Sequence, residues 1–267
     1  MRSNNVLGFI FAATLDDKIP ELASSRTTAS VPIGGKYRII DFDLSNMSNS
    51  GISNVGIVAK SNFQSLMDHV GSGSAYDLSK RRSNLSILPP YDGKAFSSFV
   101  ETIYNMHGYI EHCREEYVLI SQGNVITNID YTDVFDFHSK KKADITLIYK
   151  NHAIPQGYDR PITLDVDNDG KVNQIFVKPG VVDKGVFNHA YGSILIKKDL
   201  LMSEIRNAIS VNQLDVRRLI QSSLGKYSIY AYENKGYCAA ISSINDYFEF
   251  NMDLMKKEVR DELFNPQ

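Results

Sequence analysis

The sequence lacks the features of secreted, membrane-spanning and nucleic-acid-binding proteins. Its 267 residues include two cysteines, Cys113 and Cys238, which are too few for a disulfide framework or a structural zinc site. Lys and Arg number 29 against 31 Asp and Glu, so no basic surplus indicates nucleic acid or an anionic membrane. The apolar run at 6–13 is too short to span a bilayer and lacks the plan of a signal peptide. We therefore expect a cytoplasmic globular protein without nucleic-acid or membrane partners.

Common phosphate and metal motifs are also missing. There is no P-loop and no G-x-G-x-x-G, and the glycine- and serine-rich residues 71–74 favour a flexible loop. Residues 165–170 begin like a calcium loop, but Phe176 stands where a bidentate carboxylate is required. A hairpin turn with Asp169-Gly170 at its tip is the better interpretation. His107 and His112 are five residues apart on a helical stretch, so they point in different directions and form no metal pair.

Apolar strands alternate with helical segments, which is typical of βαβ units and a parallel, doubly wound sheet. Buried strands are predicted over 6–13, 54–59, 117–121 and 145–149, and helices over 41–50, 99–113, 130–139, 199–208, 214–224 and from about 244. Residues 161–197 instead read as strands joined by short polar turns. We find no linker before about Lys256, so one domain is predicted over 1–255, followed by a terminal segment over 256–267. Composition and spacing alone indicate an α/β domain that binds a ligand at its strand ends.

One stretch is more specific. Residues 31–46 read VPIGGKYRIIDFDLSN, and residues 49–52 read NSGI. This resembles the signature P-x-G-G-K-[FY]-R-[IL]-I-D-F-x-L-S-N…N-S-G-I of the bacterial and plant ADP-glucose pyrophosphorylases, which are glucose-1-phosphate adenylyltransferases. The likeness continues over nearly the whole chain. It implies a Rossmann-like nucleotidyltransferase fold, with a mixed, mostly parallel sheet and helices on both faces. The hexapeptide repeats of the family's C-terminal β-helix domain are absent, so only the catalytic-type domain is expected.

The resemblance aligns the family's nucleotide loop with a stretch whose side chains differ from the family pattern. The family's A-G-G-x-G-x-R-L falls on residues 12–19, and its glycines let backbone N–H groups approach a triphosphate. Here an acid replaces one glycine and a second acid follows it, so negative charge stands where the triphosphate would lie. A lysine replaces the arginine and lacks its bidentate fork. The equivalents of this loop and of the basic stretch after it are Ala13, Thr14, Asp16, Lys18 and Arg26. Where the family has two lysines in that stretch, this sequence has Ser25 and Thr28.

The resemblance also implies a Mg²⁺ site whose carboxylates are missing. In the family a sugar phosphate attacks the α-phosphorus of ATP in line, assisted by Mg²⁺ held between carboxylates. The two metal positions of the family are Asn124 and Ala240 in this sequence. A neutral amide and a methyl group cannot replace the anionic oxygens that Mg²⁺ needs. We therefore expect no metal, no cofactor and no catalytic residue on this chain.

Part of the sugar-phosphate side of the family pattern is retained. Lys178 stands where the family's lysine holds the phosphate of glucose 1-phosphate, and Gly192 and Asp215 match two further positions. Each also has a plain explanation: a solvated lysine at a strand end, a glycine for close strand packing, and an acid at a helix N-terminus.

These losses match the D-type subunits of bacterial ADP-glucose pyrophosphorylase, which have little or no activity alone and accompany a catalytic subunit. We expect a regulatory, catalytically impaired subunit for glycogen biosynthesis, assembled with a catalytic homologue in a heterotetramer. Two alternatives remain open. One is an active nucleotidyltransferase that takes its carboxylates from Asp16, Asp17 or Glu101. The other is a sensor that binds a sugar phosphate through Lys178 and Arg26.

Overall fold

The structure is a computed structural model that describes residues 3–13, 16–60, 62–79, 83–89, 98–153, 161–177 and 185–264. The strands are β1 Val6–Phe11, β2 Pro32–Ile33, β3 Tyr37–Arg38, β4 Asn54–Val58, β5 Asn84–Leu88, β6 Tyr117–Gln122, β7 Val125–Thr127, β8 Ile145–Ala153, β9 Ile162–Val166, β10 Val172–Val177, β11 Val186–Lys197, β12 Ile229–Glu233 and β13 Cys238–Ala240. The helices are α1 Pro20–Ala23, α2 Ile39–Asn49, α3 Gln64–Val70, α4 Phe99–Asn105, α5 His107–His112, α6 Tyr131–Lys141, α7 Lys198–Ser210, α8 Val216–Ser222, α9 Ile244–Asp253 and α10 Lys257–Phe264. The predicted α/β architecture, in which strands alternate with helices, is confirmed.

The chain divides into two compact units. The first unit comprises residues 1–7, 90–119 and 133–234, and the second comprises 8–89, 120–132 and 235–267. The division falls within β1, β6 and α6, so each unit contains part of these elements. The prediction of a single domain over 1–255 stays a prediction.

The first unit is built on mixed strand pairing. β11 pairs antiparallel with β8 and β9, β9 pairs antiparallel with β10, and β12 runs parallel to β8. The hairpin between β9 and β10 turns where the sequence predicts it. Asp167 Oδ1 accepts the N–H groups of Asp169 and Lys171, each at 2.9 Å, and Gly170 adopts a φ of +85° that favours glycine.

The second unit orders its strands as β6-β1-β4-β5, with β4 and β5 parallel. Two small ladders, β2 with β3 and β7 with β13, are antiparallel. Helices α2, α9 and α10 contribute apolar side chains to one buried cluster, because each carries them on one side. The fully buried members of this cluster are Ile19, Val31, Ile33, Ile39, Phe42, Ile126, Ile241, Phe250 and Leu263.

Helix α2 contains the long signature, and its polar residues hold neighbouring backbone. Asp41 Oδ2 accepts the N–H of Arg38 at 2.8 Å in a capping box. The Asn46 amide donates to the Thr127 carbonyl at 2.8 Å and so holds β7. Ser50 Oγ accepts the N–H of Tyr131 at 2.8 Å. These signature residues therefore position the segment that carries the candidate site.

The structure differs from the sequence-based expectation at several elements. The stretch 99–113 forms two helices, because the chain breaks at Met106 with φ −89° and ψ 6°. Helices α1 and α3 and strands β2, β3, β5 and β7 are not predicted. Helix α3 has two buried residues, Leu66 and Val70, and β5 is mostly half-buried, so neither shows a strong apolar period. Within the described ranges, no helix has the length and apolarity to cross a membrane.

Candidate functional site

Strands β7 and β13 bring the two family metal positions together. In their antiparallel ladder Ala240 lies opposite Val125, the residue after Asn124. The Ile241 N–H donates to the Asn124 carbonyl at 2.8 Å, and the Asn124 amide Nδ2 donates to the Ile241 carbonyl at 3.1 Å. Asn124 is therefore bonded to the residue next to Ala240 through both its backbone and its side chain.

Neither position offers an anionic oxygen. Asn124 is 1% exposed and Ala240 is 8% exposed, and Asn124 Oδ1 accepts no hydrogen bond from a described residue. Over the described ranges, no three or more His, Cys, Asp or Glu side chains converge on one point. A Mg²⁺ ion needs carboxylate or phosphate oxygens in near-octahedral geometry. The residues at these two positions do not fit it.

The end of β1 lies against the same segment. The Gly123 N–H donates to the Phe11 carbonyl at 2.8 Å, and the Ala29 N–H donates to the Ala12 carbonyl at 3.1 Å. The carboxyl ends of β1 and β6 therefore meet, which is where ligands bind in open α/β sheets. A Cβ on Gly123 would lie 2.9 Å from Phe11 O and 3.0 Å from the Ala29 Cβ, so this approach leaves no room for a side chain.

We predict that Gly123→Ala destabilises the protein by about 2 kcal/mol, because backbone rather than a flexible side chain must move. Urea unfolding followed by circular dichroism measures the effect. Gly108→Ala in α5 is the matched control, because its Cβ would meet no atom within 4 Å and alanine favours a helix. A Gly123→Ala midpoint equal to that of the parent protein would contradict the prediction.

The replaced positions of the nucleotide loop contact each other. Asp16 Oδ1 accepts both the backbone N–H and the hydroxyl of Thr28, each at 2.7 Å. Burial raises the pKa of Asp16, although both Thr28 hydrogen bonds lower it. Asp16, which stands where the family has a glycine, thus accepts a hydrogen bond from Thr28, which stands where the family has a lysine. Of the other predicted loop residues, Ala13 and Arg26 are half-buried, Lys18 is exposed, and Thr14 lies outside the described residues.

Two of the predicted sugar-phosphate residues, Gly192 and Asp215, belong to the first unit. Gly192 has a φ of +86° where the pairing of β11 with β8 is irregular between Ala190 and Ile194. A positive φ is itself a reason for glycine there. Asp215 is the N-cap of α8, and its side chain accepts the Arg217 N–H at 3.0 Å. Lys178 lies outside the described residues. A role for these residues at a sugar phosphate stays a prediction.

Comparison with known proteins shows the family of this chain. The family model described as nucleotidyl transferase matches residues 17–256. This chain belongs to the nucleotidyl transferase family. A glucose-1-phosphate adenylyltransferase of Clostridium acetobutylicum is 30% identical over an alignment of 277 residues. The alignment covers all of this chain and 72% of the relative. That of Bacillus subtilis is 30% identical over 272 residues, which cover 97% of this chain and 69% of the relative.

A solved structure confirms the predicted Rossmann-like nucleotidyltransferase fold of this chain. A crystal structure from Bacillus anthracis, assigned as a glucose-1-phosphate thymidylyltransferase and determined in complex with sucrose, superposes with a TM-score of 0.76. The superposition covers 98% of each chain at 12% sequence identity, so it bears on the fold alone.

Sequence reasoning missed one buried acid of this chain. Asp43 on α2 is 4% exposed, and its Oδ1 accepts the Ser121 hydroxyl at 2.6 Å. Burial raises its pKa to about 7, and the Ser121 hydrogen bond offsets part of that rise. Asp43 occupies the variable position of the F-x-L-S-N signature, so the resemblance drew no attention to it. The signal in the sequence was an acid flanked by the apolar Phe42 and Leu44.

We predict that Thr28→Val lowers the free energy of unfolding by about 1.5 kcal/mol, because the Asp16 carboxylate loses a hydrogen bond at a buried position. The pKa of Asp16 should rise further, which NMR titration measures. A double-mutant cycle with Asp16→Ala provides the control, since Thr28→Val should cost little once residue 16 has no carboxylate. Equal costs in both backgrounds would show that the bond does not stabilise the loop.

Proposed function

We propose that this chain is a regulatory, catalytically impaired subunit of glucose-1-phosphate adenylyltransferase. That enzyme converts ATP and glucose 1-phosphate into ADP-glucose and pyrophosphate. The chain would act in glycogen biosynthesis by assembling with a catalytic homologue into a heterotetramer. The names of the relatives from Clostridium acetobutylicum and Bacillus subtilis support the substrate class.

The observation that carries the proposal is the side-chain hydrogen bond of Asn124, at a family metal position. Nucleotidyl transfer by in-line attack on a phosphorus atom depends on positioning and on neutralising the charge that develops. At the family's metal positions this chain has an amide that donates to the Ile241 carbonyl and the methyl group of Ala240. Because these groups do not fit Mg²⁺, no catalytic step is assigned to them.

The nucleotide loop supports the same conclusion. Asp16 is held by Thr28, so its negative charge stays at the end of β1 whenever it is ionised. Two like unit charges ~4 Å apart repel by about 1 kcal/mol in water and by roughly 4 kcal/mol near a protein surface. A bound triphosphate at this loop would meet that repulsion without the family's glycine backbone to offset it. The chain would therefore influence a partner through assembly, as a difference in affinity between states of the complex.

An assay of the purified chain, alone and mixed with the catalytic homologue, tests the proposal. With ATP, glucose 1-phosphate and Mg²⁺, the chain alone should form no ADP-glucose above background. The mixture should co-purify and should show a changed ATP or effector dependence, compared with the catalytic homologue alone at the same concentration. Robust turnover by the isolated chain, or failure to associate with the homologue, would defeat the proposal.

A second candidate function is supported by Asp16 itself. Its Oδ2 is buried and accepts no hydrogen bond from a described residue, so a carboxylate oxygen is available to a cation. An active nucleotidyl transferase with this unusual ligand would bind Mg-ATP. Calorimetric titration with Mg-ATP distinguishes the two functions. Binding that is lost in Asp16→Asn but kept in Asp17→Asn would favour the active enzyme.

A further inference from the structure

Two imidazole nitrogens and one phenol oxygen, from two neighbouring strands, lie close together in the first unit. His152 lies on β8, and His189 and Tyr191 lie on β11. The Nε2 atom of His152 is 3.3 Å from Nδ1 of His189 and 2.7 Å from the phenol oxygen of Tyr191. The ring centroids are 4.8 to 5.5 Å apart. This cluster lies outside every residue that the proposed function uses.

The β8–β11 ladder, rather than a loop, positions the two histidines. In the β8–β11 ladder Phe187 lies opposite His152, and His189 lies opposite Lys150. Side chains two residues apart share a face, so His152 and His189 are diagonal neighbours on adjacent strands. His189 is 1% exposed and Tyr191 is 4% exposed, whereas His152 is half-buried. The donors are therefore held in place, and one of them can be reached from solvent.

The spacing of the two nitrogens suits a shared metal ion. Bonds of about 2.0–2.1 Å from zinc to imidazole nitrogen, in a tetrahedral site, place two such nitrogens roughly 3.3 Å apart. We propose that His152 and His189, with the phenol oxygen of Tyr191 as third donor, bind a divalent transition-metal ion such as Zn²⁺. Imidazole donors favour this class of ion over Mg²⁺ and Ca²⁺. The bound ion would join β8 to β11 and leave a fourth position for water.

The protonation states are compatible with metal binding. Burial lowers the pKa of His152, and burial together with His152 lowers the pKa of His189 to about 3. The direction of both shifts favours neutral imidazole, which is the form that binds a metal ion. Lys150 on the same face opposes a cation and limits the affinity. The facing residue on β9, Thr163, carries no charge.

Titration of the metal-free full chain with Zn²⁺, in the absence of nucleotide, tests the proposal independently of catalysis. Calorimetry should show one site per chain. His152→Gln and His189→Gln should each weaken it at least about tenfold, since even an outer partner of a metal ligand changes affinity by that much. His112→Gln is the matched control, because this exposed histidine contacts the Gly108 carbonyl on α5 instead.

Visible absorption of the Co²⁺ form provides a second readout that a structural role alone would not change. Tyr191→Phe keeps the ring, so we expect it to fold, and it should shift the Co²⁺ ligand-field bands while His112→Gln leaves them unchanged. The proposal is overturned if the parent chain binds no Zn²⁺. It is also overturned if the histidine variants and the control bind Zn²⁺ equally, or if the Co²⁺ spectrum is the same with phenylalanine at residue 191.

Discussion

Asn124→Asp, which restores the acid of the family's metal position, should destabilise this protein by about 3 kcal/mol at pH 7. The new carboxylate would be buried, since Asn124 is 1% exposed. It would also lose the N–H donor to the Ile241 carbonyl and face that carbonyl with like partial charge. A buried acceptor left without its donor costs about 1–3 kcal/mol, and more when a charge is involved. Chemical unfolding at pH 7 measures the difference.

The pH dependence of this variant provides an internal check. Burial raises the folded-state pKa of such a carboxyl, so its cost is present above that pKa and shrinks as the pH falls toward the unfolded-state value. The protonated acid can also donate to the Ile241 carbonyl. Asn173→Asp, at an exposed position of β10, is the control and should change stability little. The prediction is contradicted if Asn124→Asp, alone or with Ala240→Asp, is as stable as the parent and gains Mg²⁺ binding. The hydrogen bond from Asn124 to the Ile241 carbonyl would then not stabilise the fold.

Asp43→Asn should remove a large pH dependence of stability. The pKa of Asp43 is about 7 in the folded protein against 3.8 for an unperturbed aspartate, mainly because of burial. The folded state therefore binds the proton more tightly, and the parent protein loses stability as the pH rises from about 4 to 7. Three units of pKa correspond to about 4 kcal/mol, an upper limit for this group. The Asp43→Asn variant does not lose this stability as the pH rises, because its side chain does not ionise.

Unfolding of both proteins at pH 4.5 and pH 8 measures this effect. The stability of Asp43→Asn relative to the parent should increase by several kcal/mol between the two pH values. Asp136→Asn, at an exposed position of α6, should show no such increase. A parallel pH dependence of parent and Asp43→Asn would mean that Asp43 ionises freely in the folded state, against its burial beside Ser121.

Much of the long signature serves the fold of this chain. Asp41 caps α2, Asn46 holds the Thr127 carbonyl, and Ser50 holds the Tyr131 N–H. These contacts explain how the family pattern persists where the metal and phosphate positions have changed. The resemblance was carried mainly by residues that position backbone, so it predicted the fold well and gave less direct information on activity.

The candidate site was predictable residue by residue, but its new contacts were not. The sequence showed that Asp16 and Thr28 both depart from the family, twelve residues apart. Only the folded chain shows that the Asp16 carboxylate accepts two hydrogen bonds from Thr28. In the same way, Asn124 was recognised as a lost ligand, whereas its bond to the Ile241 carbonyl joins positions 117 residues apart.

The alternation of the main strands and helices, the hairpin at Asp169-Gly170 and the absence of acids at the two family metal positions follow from the sequence alone. Apolar periodicity, turn chemistry and residue identity are local properties, so each can be read along the chain. The partners of Asp16, Asn124 and Asp43, and the meeting of His152 with His189, were decided by the tertiary structure. Burial and hydrogen bonding between distant segments depend on strand register and helix packing, which no single stretch of sequence specifies.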